Sequence, residues 1–242
     1  MAAKVTIKQV ADKKVVVFGF SGNVGKTVIA SELLYPRIKN AEFYSIETIN
    51  SDSTHGEKLA GNQFSELLEA IEMSDSCVVD VGSSNIEAFL TRMRSFKNSH
   101  EEIDYFVIPV TPSSKEMRDS EALIDYILEM GIPKNKIKVV FNKVERDFSN
   151  PASELAFFKN SIAEEIAGNN PPVVYLSDYY PMLRDSEKTH SEVISDTRDF
   201  NALKKSAETK DARFQIVLEK KLQQAGLSAE EDLASAFTAL KL

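Results

Sequence analysis

Cysteine occurs once in this chain and histidine three times, and no apolar run approaches the ~18 residues that a membrane helix requires. A single cysteine excludes an internal disulfide framework and is what a reducing cytoplasm leads one to expect. Cys77 stands in the apolar stretch "SCVVDVG", where a buried, inert thiol is expected. His55, His100 and His190 are scattered and accompany no cysteine, which argues against a zinc site. Basic charge is also scarce: 29 Lys and Arg against 37 Asp and Glu give a formal net charge of −8. That sign argues against broad coating of nucleic acid, whose phosphates favour basic surfaces. Positive charge gathers locally only near the end, in "LKKS" at 203–206, Lys210, Arg213 and Lys220-Lys221. It fits either a solvated helix face or a DNA contact. The opening "MAAKVTIKQVADKK" has no apolar core of a leader peptide, so neither a leader nor a transmembrane segment is expected.

What the chain does have is alternation. Short runs rich in Val, Ile and Phe predict strands over 14–20, 41–47, 77–82, 105–110, 137–142 and 172–177. Several are apolar almost throughout, as when helices cover both faces of a parallel sheet. Amphipathic stretches between them predict helices over 25–35, 62–73, 84–96, 113–130 and 151–167. Repeated β-α-β crossovers indicate an α/β fold with a doubly wound, mostly parallel sheet flanked by helices. After about residue 178 the strands stop and 183–199 reads as polar and irregular. Helices are predicted at 208–225 and 228–241, with Gly226 ending the first and Ser228 and Glu231 capping the second as a capping box. No linker divides the chain, which predicts a single domain over 1–242, with a core at about 14–180 and a helical C-terminal appendage at about 200–242. The appendage either packs on the sheet or docks a partner.

One strand-to-helix junction carries chemistry. "VVVFGFSGNVGKTVIASELL", residues 15–34, runs from an apolar strand through a loop of small residues into a helical pattern. Gly25-Lys26-Thr27 is how phosphate-binding loops end, although the longer pattern G-x-x-x-x-G-K-[ST] would place glycine where Phe20 stands. Such a loop works because successive backbone N–H groups face a concavity backed by a helix N-terminus. Gly22 and Gly25 supply close approach and unusual dihedrals, Lys26 reaches the β- and γ-phosphates, and Thr27 offers its hydroxyl to Mg²⁺. The contacting residues are therefore expected to be Ser21, Gly22, Asn23, Val24, Gly25, Lys26, Thr27 and Val28. A second carboxylate comes from "CVVDVGSSN", an apolar strand ending in Asp80. Asp80 is expected to hold a Mg²⁺ water or Thr27, with the Gly82 amide sensing the γ-phosphate. Ser83 and Ser84 lack a nucleophile elbow and are expected to cap the next helix.

These motifs resemble the ParA/MinD superfamily of P-loop ATPases, whose loop reads K-G-G-x-G-K-[ST]. Within it, "FSGNVGKT", "VVDVGSSNIEAFL" and "FVIPVTPSSKE" are most similar to the StbB-type ATPases of conjugative plasmids. The similarity covers roughly residues 14–180. It implies an ATP- and Mg²⁺-dependent, slowly hydrolysing ATPase that acts as a nucleotide-dependent switch in plasmid partition and conjugative DNA transfer. It also implies a plasmid-encoded DNA-binding partner and a weak or nucleotide-dependent homodimer. The lysine that crosses such dimers aligns with Ser21, so a dimer must tolerate the uncompensated charge, find another cation or assemble differently; Lys115 and Arg118 are the nearest candidates for that cation by topology. Aligning the second strand places Glu47 as the catalytic carboxylate that positions water, beside Lys26 and Asp80, with Asp52 as the alternative. In "VVFNKVERD", Asn142 is implied to meet the base edge, and Glu145 in place of Asp implies adenine, with guanine the alternative. Pro172 and the 176–182 loop are the implied flanks of the ring. Two rival functions stand beside this one. One is a metabolic P-loop enzyme, such as a small-molecule kinase or a dethiobiotin-synthetase-like ligase; the other is a non-hydrolysing nucleotide-binding scaffold.

Overall fold

A computed structural model describes residues 7–46, 61–146, 162–168 and 170–242. Six strands form one sheet in the order β2-β3-β1-β4-β5-β6. They are β1 (Lys14–Val17), β2 (Glu42–Ile46), β3 (Cys77–Val81), β4 (Tyr105–Val110), β5 (Ile137–Val144) and β6 (Val173–Tyr175). Every pairing is parallel. All six predicted strands are present, and Val15, Val16 and Val17 are each at most 1% exposed, so β1 is buried on both faces. That double burial is why the strands are continuous apolar runs rather than alternating ones.

The connection from β1 leads outward to β2, whereas β3 crosses over to β4 on the far side of β1. A reversal of this kind opens a crevice at the carboxyl ends of the central strands. The helices between strands are α1 (Lys26–Val28), α2 (Gly61–Met73), α3 (Ile86–Ser95), α4 (Ser114–Glu129) and α5 (Ile162–Ala167). Phe64, Phe89, Met93, Leu123 and Ile127 from α2, α3 and α4 join Val16, Phe18, Phe106 and Ile108 in the main core. The helix predicted to start at 151 is described only over Ile162–Ala167.

The helix after the loop departs from a plain α-helix. Past α1 it continues as a π-helical stretch, Ile29–Leu34, and a 3₁₀ turn, Tyr35–Arg37. Pro36 has no N–H to give to the Glu32 carbonyl four residues back. The guanidinium of Arg37, 1% exposed, supplies the donor instead, reaching Glu32 O at 2.7 Å and Leu33 O at 3.3 Å.

Backbone contacts group the described residues into two compact units, one drawn from 9–176 with 235–242 and one built on 177–234. The second is helical, with α6 (Tyr179–Asp185), α7 (His190–Ile194), α8 (Phe200–Ser206) and most of α9 (Lys210–Leu240). Its core gathers Tyr179, Leu183, Val193, Leu222 and Ala229. Inside it His190, 1% exposed, bridges the Tyr179 hydroxyl at 2.5 Å and Glu230 Oε2 at 2.8 Å.

Two expectations for this region are corrected. The stretch 183–199 is not irregular, since α7 lies within it behind a capping box of Thr189 and Glu192. The tail is not two helices either: α9 runs unbroken through Gly226. A Cβ at Gly226 would lie 2.9 Å from Val193 Cγ1 and 3.0 Å from Tyr179 Cε2. The glycine is there to let α9 pack closely on α6 and α7, not to stop a helix, and Ser228 and Glu231 cap nothing. Among the described residues no helix is long and apolar enough to cross a membrane.

Candidate functional site

The loop between β1 and α1 closes over Gly25, whose φ is +82°. A side chain rarely adopts that backbone, and here a Cβ would also lie 2.2 Å from Asn142 Nδ2, so glycine is required twice over. Phe20, which stands where the longer pattern has glycine, packs its ring on the main core. The loop therefore turns without a glycine there.

Lys26 is 6% exposed, and its ammonium arches back to donate to the Ser21 carbonyl at 2.8 Å. Burial lowers its pKa from 10.5, opposed by the nearby Asp80 carboxylate. The Thr27 hydroxyl donates to Asp80 Oδ2 at 2.7 Å, joining the start of α1 to β3. Above them opens a cavity of about 370 Å³. Gly22, Asn23, Gly25, Lys26, Thr27 and Val28 line one side of it, and Asp80, Gly82, Ser83 and Ser84 the other. Most of the loop residues expected from sequence thus share one concavity with Asp80 and Gly82.

The remaining expected residues sit around the loop rather than in the cavity. Val24 is 1% exposed, and its carbonyl accepts from Asn142 Nδ2 at 2.8 Å. Asn142, at 3% exposure, is a prop beneath the loop in this structure. Ser21 Oγ donates to Asp119 Oδ2 of α4 at 2.9 Å. Helix α4 meets the loop through that carboxylate, while Lys115 and Arg118 are exposed. The Gly82 amide donates to the Ile46 carbonyl at 2.9 Å, and Asn85 Nδ2 donates to the same oxygen at 3.2 Å. Glu47 and Asp52 lie outside the described residues.

Sequence reasoning missed three participants and misassigned two. Asp119 and Lys143 reach the loop from far along the chain, and Arg37 holds the helix behind it. Neither Ser83 nor Ser84 stands at the N-cap of α3, which is Asn85; both lie in a 3₁₀ turn, Ser83–Asn85. The turn instead brings both serines to the cavity wall. The thiol of Cys77 is buried as expected and its pKa is pushed up from 9.0 to about 11, chiefly by burial.

The residues present suit a divalent cation of the magnesium type. Thr27 and Asp80 offer hard oxygen donors that meet across a glycine-lined cradle, and Mg²⁺ takes few protein ligands and keeps its waters.

No family model and no curated protein matches the chain. Among solved structures, it is similar to a ParA family ATPase from Chlorobium tepidum TLS, at 16% identity over 89% of this chain and 99% of that one, with a TM-score of 0.46. It is also similar to a variant of Cyanothece McdA in complex with ATP, at 13% identity over 94% and 97% of the two chains, with a TM-score of 0.45.

Proposed function

We propose that this chain is an ATP-binding, slowly hydrolysing switch of the ParA type, serving plasmid partition and conjugative DNA transfer with a plasmid-encoded DNA-binding partner. The observation that carries the nucleotide reading is the convergence of Lys26, Thr27 and Asp80 on one glycine-lined cavity. Lys26 neutralises β- and γ-phosphate charge, and its desolvation strengthens that interaction relative to water. Thr27 and Asp80 would hold Mg²⁺, which supplies charge neutralisation at the phosphates. Glu47, with Asp52 as the alternative, orients the attacking water. The Gly82 amide now serves the Ile46 carbonyl, one residue before Glu47. A γ-phosphate that draws on this amide would leave the Ile46 carbonyl to Asn85 Nδ2, so occupancy is coupled to the hydrogen bonding at the end of β2.

The rival, a small-molecule kinase or ligase, calls for a cationic acceptor site beside Lys26. The side chain that α4 brings to Ser21 is a carboxylate, Asp119, which disfavours an anionic acceptor there.

Calorimetric titration with ATP and GTP, joined to phosphate release with and without Mg²⁺, tests the proposal. Magnesium-dependent ATP binding with turnover well under one per second is expected. A tenfold preference for GTP, about 1.4 kcal/mol, reverses the base assignment, and absence of nucleotide binding overturns the reading. Light scattering with a non-hydrolysable ATP analogue tests the switch in association.

A further inference from the structure

Beyond Lys26, the ammonium group bonded to the phosphate loop among the described residues is that of Lys143. Its Nζ donates to the Asn23 carbonyl and to Asn23 Oδ1, each at 2.8 Å. The residue before it, Asn142, donates to the Val24 carbonyl, also at 2.8 Å. Successive residues of a strand point to opposite faces, yet these two reach the same loop. The pairing of β5 with β6 explains how: its register shifts by one residue between Asn142 and Val144. Lys143 is the extra residue, with a left-handed φ of 56°. A bulge re-aims a side chain, and a lysine persists in that backbone only where its surroundings hold it there.

The charge has a place to act. Asn23 lines the cavity, so Lys143 is bonded to a residue of the cavity wall. At the other end of the loop Ser21, which carries no charge, is bonded to the Asp119 carboxylate. The loop is thus clasped between an anion at residue 21 and a cation at residue 23.

We infer that Lys143 is a positioning residue of the phosphate site. Acting through Asn23, it holds the loop open to an anion and supplies from within the chain a positive charge that Ser21 does not. This rests on the nucleotide-binding reading of the loop. It adds to that reading that the site is completed in one chain by a residue two strands away in the sheet order.

The test compares Lys143→Gly and Lys143→Arg with the parent protein. Glycine removes the cation but suits a φ of 56°, so a purely structural role predicts unchanged or higher stability and unchanged binding. The positioning role predicts an unchanged or higher Tm together with about tenfold weaker binding of ATP and of inorganic tripolyphosphate. Hydrogen exchange of the loop amides in the nucleotide-free protein should accelerate in Lys143→Gly. Lys143→Arg should restore both readouts in large part. Parent-like tripolyphosphate binding in Lys143→Gly overturns the inference and leaves the nucleotide reading standing. A parent protein that binds neither ATP nor tripolyphosphate overturns the nucleotide reading and, with it, any role in phosphate binding; loop exchange then decides whether Lys143 still braces the loop.

Discussion

Thr27 and Asp80 share a 2.7 Å hydrogen bond across the crevice, so the start of α1 and the end of β3 are locked to each other at the point where a metal-bound phosphate would sit. Asp80→Asn keeps the shape and removes the charge. Turnover should fall on the order of a hundredfold while ATP affinity changes far less. Steady-state kinetics and calorimetry across a Mg²⁺ series check this, and equal turnover in both proteins would reduce Asp80 to a structural acceptor.

Lys26 makes pH act in opposite directions on stability and on binding. Burial lowers its pKa, so between that lowered value and 10.5 the unfolded chain holds more protons than the folded one, and stability without nucleotide rises with pH. A bound phosphate favours the ammonium form, so ATP binding takes up protons there and affinity falls as pH rises. Lys26→Ala should remove both slopes, weaken ATP binding about a hundredfold and leave the domain folded. Calorimetry in buffers of different ionisation enthalpy measures the proton uptake directly.

Gly226→Ala sets helix propensity against packing. Propensity alone favours alanine in α9 by about 1 kcal/mol. The added Cβ would press on Val193 and on Tyr179, which is fully buried and hydrogen-bonded to His190. Overpacking of this kind costs about 1–3 kcal/mol, so the variant should melt below the parent. A higher Tm would mean that α6 and α7 yield freely.

Ser21→Lys probes the assembly. The lysine would meet Asp119 of its own chain, because the serine hydroxyl is already 2.9 Å from that carboxylate. The single variant should leave ATP-dependent mass unchanged. Adding Asp119→Asn frees the lysine, and dimers bound to a non-hydrolysable analogue should then tighten about tenfold. Light scattering separates the cases, and tightening by the single variant would show that Asp119 does not hold the lysine.

The legible parts of this protein were those whose cause is local. Strands buried on both faces are apolar almost throughout, so "VVVF" and "CVVDV" announce themselves, the lone Asp80 marking the site. The loop is equally plain because Gly25, Lys26 and Thr27 are contiguous. Asp119 and Lys143 were hidden because each meets the loop across a separation of 98 and 120 residues, and no short pattern encodes such a contact. Gly226 misled because glycine answers two needs, a left-handed stop and a close approach, and only the neighbours of its missing Cβ tell them apart. Ser83 and Ser84 misled similarly, since serine before a helix suits a cap and a 3₁₀ turn alike.

The same separations set an order in time. The loop leaves the ribosome early, but Asp80 follows Thr27 by 53 residues and Lys143 follows Asn23 by 120. At ~5–20 residues per second, the loop waits roughly 6 to 24 s for its last clasp. Until β5 has been made and docked, a nascent chain holds the phosphate sequence without the phosphate site. A chain cut short before residue 142 would carry the motif braced by Asp80 and Asp119 alone, without the contacts that Asn142 and Lys143 make to the loop backbone.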